Sequence, residues 1–244
     1  MCDVDDRASQ AAPFLPLQVT PAHLRRPPNK YPSTVFYSPS NPLSLSPVSA
    51  SPVVRLEHPS VPGAFILHNV LSHNEARRIV QAAEAVGLEK DQPAAGSAKE
   101  LQSILADNLV WLADQDFISI LFARVQAHMP AIMDGGALTS INARFRIYRY
   151  IPGSTYRPHI DGAWPSSALG TDNEGKPTYV YDADPELYSR LTFLLYLNDG
   201  FPGGATTFFL PSSNGEGRLV AYPVRPLMGA ALVFPHGKFF GDQS

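Results

Sequence analysis

The sequence predicts a mainly β fold with flanking helices, a sandwich or jelly roll in which the helices brace one sheet. Hydrophobic periodicity is helical between residues 71 and 130 and changes to strand alternation from Asn142 onward. Short strand candidates then follow one another at close spacing. Glycine and proline punctuate them, at Pro152-Gly153, Gly200, Pro202-Gly203-Gly204, Pro211, Gly215, Gly217, Pro226 and Gly229.

Upstream of the helices, proline dominates. Half of the 24 prolines fall between Pro13 and Pro62, with serines in the gaps, as in Ser38-Pro-Ser-Asn-Pro-Leu-Ser-Leu-Ser-Pro47. Each proline removes a backbone donor and biases its predecessor toward extended geometry. Residues 1–62 therefore read as a Pro/Ser-rich flexible arm with too little apolar surface to join a core. A linker role fits this composition better than a docking role. Residues 63–244 form the folded domain, with helical support over 71–130 and a β core over 140–244.

The first helix is announced by Ser72 and Glu75 at capping-box spacing. Ala76, Ile79, Val80, Ala83 and Val86 follow at helical period until Gly87 stops it. A second helix is expected over 116–129, where Phe117, Leu121, Val125 and Met129 share a face ahead of Pro130. A shorter helix is expected over 101–113, with Trp111 and Leu112 turned inward. Strands are expected at 144–150, 156–161, 190–198, 205–209, 218–224 and 230–234. The segment from Trp164 to Tyr188 has turn chemistry at its centre and reads as a lid or substrate-contacting loop, with Tyr179 and Tyr181 lining a peptide groove.

Composition narrows the function classes. Apolar content is ordinary for a globular chain, and the net charge of −3 shows no block of like charge, so nucleic acid is not an evident partner. The single cysteine, Cys2, allows no intrachain disulfide and suits a reducing compartment. No secretory signal and no stretch long enough to span a bilayer is present, which points to cytosol or nucleus. The oligomeric state is open.

The chemistry centres on Tyr156-Arg157-Pro158-His159-Ile160-Asp161. Residues two apart on a strand share a face, so His159 and Asp161 can offer an imidazole and a carboxylate to one metal ion. Isolated, a His-x-Asp pair is a weak signal, since seven histidines meet it easily by chance. Its surroundings are more specific. Tyr150-Ile-Pro-Gly-Ser-Thr-Tyr156-Arg-Pro-His159-Ile-Asp161 resembles the signature Tyr-x-x-Gly-x-x-Tyr-x-x-His-x-Asp of prolyl 4-hydroxylase-type dioxygenases, which depend on iron(II) and 2-oxoglutarate. Arg190 to Asn198 is similar to that family's strand ending in Tyr-Leu-Asn. Pro202-Gly-Gly-Ala-Thr-Thr-Phe208 resembles its Gly-Gly-x-Thr-x-Phe turn, and Gly229 to Phe234 its following strand. The likeness covers roughly residues 63–240.

This resemblance implies a double-stranded β-helix (a cupin-like jelly roll) with iron(II) held by His159 and Asp161. It implies 2-oxoglutarate as cosubstrate, decarboxylated to succinate while a C–H bond of a peptidyl residue or small molecule is hydroxylated, with ascorbate as reductant. Tyr150 and Tyr196 stand where the family holds tyrosines near the cosubstrate carboxylates; as residues alone they read equally well as core tyrosines. Thr192 and Asn198 read as structural, and Arg144, Arg146 and Arg149 as exposed strand arginines. The family's second histidine and its basic residue follow the Gly-x-Ala-Leu-x-Phe strand at a longer interval. His236 comes too early for that spacing and Lys238 is a poor match for the basic residue. The resemblance thus places the third ligand beyond Ser244 and the jelly roll incomplete at the C-terminus. Two other readings stay open: a catalytically dead interaction module, and a cupin-like metal-binding or isomerase domain that uses no 2-oxoglutarate.

Overall fold

Ser72 and Glu75 satisfy each other across the first turn of helix α1 (His73–Val86). The Ser72 hydroxyl accepts the Glu75 N–H, and the Glu75 carboxylate accepts the Ser72 N–H at 2.8 Å. Gly87 ends the helix at φ 95°, a conformation unfavourable for residues with a Cβ. Helix α2 (Gln115–Val125) is capped by Asp114, whose carboxylate accepts the Phe117 N–H at 2.9 Å, and a short 3-10 turn carries it to His128. Both long helices stand where the periodicity placed them. The computed structural model describes residues 14–20, 34–38, 43, 45–90, 106–212 and 217–237. Cys2 and Lys238 lie outside these residues.

The strands, in chain order, are β1 (Leu15–Thr20), β2 (Val35–Tyr37), β3 (Val54–Glu57), β4 (Phe65–His68), β5 (Glu89–Lys90), β6 (Ala106–Leu112), β7 (Ile132–Met133), β8 (Gly136–Ala137), β9 (Arg144–Tyr150), β10 (Pro165–Thr171), β11 (Pro177–Tyr188), β12 (Leu191–Leu195), β13 (Thr206–Pro211), β14 (Leu219–Val224) and β15 (Ala231–Pro235). The fold is mainly β. A seven-stranded sheet runs β10-β11-β1-β2-β6-β5, with β9 on the other edge of β6. A four-stranded antiparallel sheet runs β12-β15-β4-β3. Two hairpins, β13-β14 and β7-β8, complete it.

Alternation along the four-stranded sheet sorts its side chains into two layers. Phe65, Leu67, Ala231, Val233 and Phe193 face α1, α2 and the β6-β9 pair, where Phe117, Leu121, Trp111 and Phe145 fill the main core. Ile66, Leu194, Leu232 and Phe234 face the opposite way, toward Phe208 and Val224 of the β13-β14 hairpin. The seven-stranded sheet curls. Asn142, just before β9, donates to the Pro165 carbonyl at 2.7 Å, stitching the start of β9 to β10 at the far end of the sheet. Leu17, Val35, Val110, Leu112, Tyr179 and Tyr181 fill the concave side.

Several expectations are overturned. The stretch 101–113 is not a helix where it is described; Ala106–Leu112 is strand β6, and residues 101–105 lie outside the described part. Its run Leu109-Val-Trp-Leu112 is buried on both faces, a pattern that a short buried strand and a helix share. Residues 156–161 are irregular rather than a strand. The Trp164–Tyr188 segment is no lid; it forms the β10-β11 hairpin, turned at Asp172, whose carboxylate accepts the Glu174 and Lys176 N–H groups. Tyr179 and Tyr181 are 0% and 3% exposed and serve the core, not a groove.

The flexible-arm expectation also fails for the residues described within 1–62. There β1 pairs with β11 and β2, β2 pairs with β6, and Leu17, Val35, Leu43, Leu45 and Val61 are buried. Residues 1–13, 21–33, 39–42 and 44 lie outside the description. Among the described residues no helix is long and apolar enough to cross a membrane.

Candidate metal centre

His159 and Asp161 come together without a strand to hold them. The irregular segment after β9 is supported from the side by β12, whose Thr192 hydroxyl donates to Asp161 Oδ2 at 2.6 Å. The other carboxylate oxygen, Oδ1, lies 3.1 Å from His159 Nε2. His159 Nδ1 stands 2.8 Å from the Arg157 carbonyl oxygen, which can only accept. Nδ1 therefore carries the proton in that bond. When the ring is neutral, Nε2 presents a lone pair toward the carboxylate.

Two lone-pair donors facing each other repel unless a positive charge lies between them. In the metal-free protein a proton serves. The hydrogen bond that the protonated His159 Nε2 donates to the Asp161 carboxylate holds the imidazole above its ordinary range, against the opposing effect of burial. The same bond holds the Asp161 carboxyl below its ordinary range, with Thr192 adding to the effect. A divalent ion suits the pair as well. Donors about 2.1 Å from an octahedral ion, at right angles to each other, lie about 3 Å apart, close to the separation seen here. The bond from the second ring nitrogen to a backbone carbonyl is the orientation a ligating histidine usually has.

His236 is close by. It follows β15 directly, and its N–H donates to the Arg190 carbonyl at 3.0 Å, extending the β12-β15 ladder by one more bond. Its Nδ1 is buried with no hydrogen-bond partner. Burial holds its imidazole below the ordinary value, while the Asp161 carboxylate pulls it upward. The turn itself packs on the site, since a Cβ on Gly237 would fall 2.2 Å from Ile160 Cγ2. Even so, among the described residues no three His, Cys, Asp or Glu side chains are grouped closely enough to hold an ion.

The tyrosines part company. Tyr150, 51% exposed at the end of β9, stacks on Tyr148 and meets Tyr156 edge-on; Tyr156 in turn meets the His159 ring at 4.8 Å. Tyr196 is buried in the layer under the β13-β14 hairpin and donates to Thr206 Oγ1 at 2.9 Å. Burial pushes its phenol up, opposed by that bond. Of the arginines, Arg149 is the exposed strand residue expected, paired with Asp107 at 2.6 Å. Arg144 is not, because its Nε is buried.

Thr192 is the site residue the sequence reading took as merely structural. Its position in Arg-Leu-Thr-Phe held a signal in retrospect: a lone hydroxyl on a strand otherwise apolar from Leu191 to Leu195. No family model, curated protein or solved structure matches this chain.

Proposed function

We propose that this chain is an iron(II)- and 2-oxoglutarate-dependent dioxygenase domain of the prolyl 4-hydroxylase type. On this reading it is built on a double-stranded β-helix and hydroxylates a peptidyl residue or a small molecule. The observation that carries the reading is the contact at Asp161 between two sequence blocks 31 residues apart in the chain. Thr192 from the Leu-Thr-Phe strand bonds Asp161, and Tyr156 from the upstream signature packs on His159. Tyr196 from the Tyr-Leu-Asn block reaches Thr206 of the Gly-Gly-x-Thr turn. Order along the chain alone does not require these contacts.

His159 and Asp161 would hold the iron, which when bound supplies the oxidative chemistry coupled to decarboxylation of 2-oxoglutarate to succinate. The protein's own part is positional. Arg157 fixes the tautomer of His159, Thr192 fixes the rotamer of Asp161, and the Tyr148-Tyr150-Tyr156 cluster walls one side with rings. Ascorbate would serve as external reductant.

The test is anaerobic loading with iron(II) followed by metal analysis, then addition of 2-oxoglutarate, ascorbate and oxygen with succinate measured. His159→Ala and Asp161→Ala are each expected to lose the metal. Stoichiometric iron in either variant overturns the assignment, and binding of neither iron nor 2-oxoglutarate by the wild type would favour the interaction module. Succinate release that disappears in His236→Ala would make His236 the third ligand.

A further inference from the structure

The strand edges that this fold leaves open are not alike. Strand β3 ends one side of the four-stranded sheet, and the His58 N–H bond to the Ala64 carbonyl turns the backbone of Arg55 and Glu57 outward, where their charges guard the edge. Strand β5 is two charged residues long. Strands β13 and β14 carry Pro211 and Pro223 at outward positions, and β10 is broken by register shifts. Strand β12 has none of these guards. Its even-numbered residues bond β15, as in the Tyr196 N–H to the Ala230 carbonyl and the His236 N–H to the Arg190 carbonyl. The N–H and C=O groups of Leu191, Phe193 and Leu195 therefore point away from β15, and no described strand pairs with them.

Width and character define what fits beside them. At their starts β9 and β12 are joined through a single intervening chain, since Asn142 donates to the Pro165 carbonyl at 2.7 Å and the Ser189 N–H to the Trp164 carbonyl at 2.8 Å. Phe145 and Ile147 of β9 pack on the same core as Leu191, Phe193 and Leu195, and among the described strands β9 pairs with β6 alone. One extended chain suits that place; the whole sheet of a second copy is too wide for it. Leu191, Phe193 and Leu195 face the main core yet are only half-buried. A strand added here sets alternate side chains on that apolar row and the others beside Thr192, where Asp161 is bonded. His159 and Asp161 keep 51% and 29% of their side chains exposed, unlike the enclosed sites that take small molecules.

We propose that the β12 edge is the docking strand for an extended peptide with apolar side chains at alternate positions, which pairs with Leu191, Phe193 and Leu195 and passes the His159–Asp161 pair. The backbone ladder supplies the affinity and the apolar row sets the register. At the metal centre this makes the substrate peptidyl rather than a small molecule. That last step rests on the metal reading above; the docking does not.

The test follows amide hydrogen exchange in the metal-free full chain, labelled with nitrogen-15, with and without the peptide acetyl-Thr-Val-Thr-Val-Thr-Val-Thr-amide. Without peptide, the Leu191, Phe193 and Leu195 amides are expected to exchange faster than those of Thr192 and Leu194, which bond β15. Saturating peptide is expected to slow the three by roughly tenfold or more, leave Thr192 and Leu194 unchanged, and move the His159 ring signals. The fully N-methylated analogue, which cannot form a ladder, is expected to do none of this. No iron is needed, so the result reads the same whether or not metal loading succeeds. Exchange that the peptide does not slow, or that is already slow in the dilute peptide-free chain, would overturn the docking strand and leave the metal reading untouched. Protection that grows with protein concentration, with a dimer in sedimentation, would give the edge to a second copy and overturn it as well. Protection without movement of the His159 signals would separate the peptide from the metal centre and overturn the substrate assignment.

Discussion

Thr192 is the side chain through which the four-stranded sheet acts on the candidate metal centre, since its hydroxyl is the donor to Asp161 Oδ2. Thr192→Val keeps the shape and removes the bond. Iron(II) affinity is then expected to fall by roughly 10- to 100-fold, as for other lost partners of metal ligands. The unfolding midpoint should stay close to wild type, because Thr192 is only partly buried and valine keeps its shape. Equal affinities for the two proteins, measured by competition with a chelator, would show that Asp161 needs no such support. The pair itself was legible in the sequence because His-x-Asp sits inside a longer ordered signature. The reason given for its convergence was not correct. Residues 156–161 form no strand, and the two side chains meet through bonds to Arg157 and Thr192 that no periodicity encodes. The lone hydroxyl in the apolar run Leu191 to Leu195 marks Thr192 as unusual, but its partner is fixed only once the strands are placed.

At the scale of elements, the cap of α1 is also the anchor of α2. Glu75 and Arg124 form an ion pair at 2.7 Å with 5% and 2% of their side chains exposed, and Arg124 also donates to the carbonyls of Val70 and Ser46. Burial alone would raise the Glu75 carboxyl. The Arg124 hydrogen bonds, with the Ser72 and Ser46 N–H groups, instead bring it from 4.5 down to about 2. A depressed carboxyl stabilises the fold above its ordinary value, and that stabilisation is lost as pH falls from 4.5 toward 2. The shift corresponds to on the order of 3 kcal/mol. Glu75→Gln leaves Arg124 buried without its counter-charge and is expected to cost roughly 3–5 kcal/mol. Denaturant titrations at pH 7 and pH 3 check both points, since the gap between variant and wild type should narrow in acid. A gap that is the same at both pH values would assign the loss to packing. Gly229 is a second element-scale constraint, at φ 82° with an added Cβ falling 2.2 Å from the Leu71 carbonyl oxygen. Gly229→Ala should lower the midpoint by several degrees, at about 2–4 °C per kcal/mol for a chain of this size, and a midpoint within one degree of wild type, roughly the noise of such scans, would count against that strain. The helices and the strands from β9 onward were largely legible because capping residues and alternation are local signals. Strand β6 was not, since a run buried on both faces has neither period. The β10-β11 hairpin was hidden by the turn at its centre, which made two strands look like one loop.

The molecule as a whole depends on the segment that composition marked as an arm. Proline density obstructs regular structure within a segment, but it does not prevent a few intervening residues from completing a sheet made elsewhere. Here β1 and β2 lie between β11 and β6, so the order β10-β11-β1-β2-β6 is continuous only through them. Their pairings with β11 and β6 are parallel and link residues far apart in the chain, as in Gln18 with Thr178 and Phe36 with Trp111. Long-range pairing of this kind leaves no signal in a window of local sequence. Its energetic share is nevertheless large. Leu17 and Val35 are buried in the concave core and Leu43 and Leu45 in the main core, and each such side chain contributes roughly 1.5–3 kcal/mol. A typical total stability is only about 5–15 kcal/mol. Removing residues 1–38 would delete both strands, expose the facing edges of β11 and β6, and uncover Tyr179, Val110 and Leu112. The truncated chain is expected to unfold at least ~6 °C lower than the full chain, since about 3 kcal/mol or more is lost at 2–4 °C per kcal/mol. It is also expected to self-associate through the open edges. Calorimetry and sedimentation of the two chains test this together. A truncated chain that stays monomeric with an unchanged midpoint would show that β1 and β2 contribute nothing to the sheet, and that composition read the arm correctly.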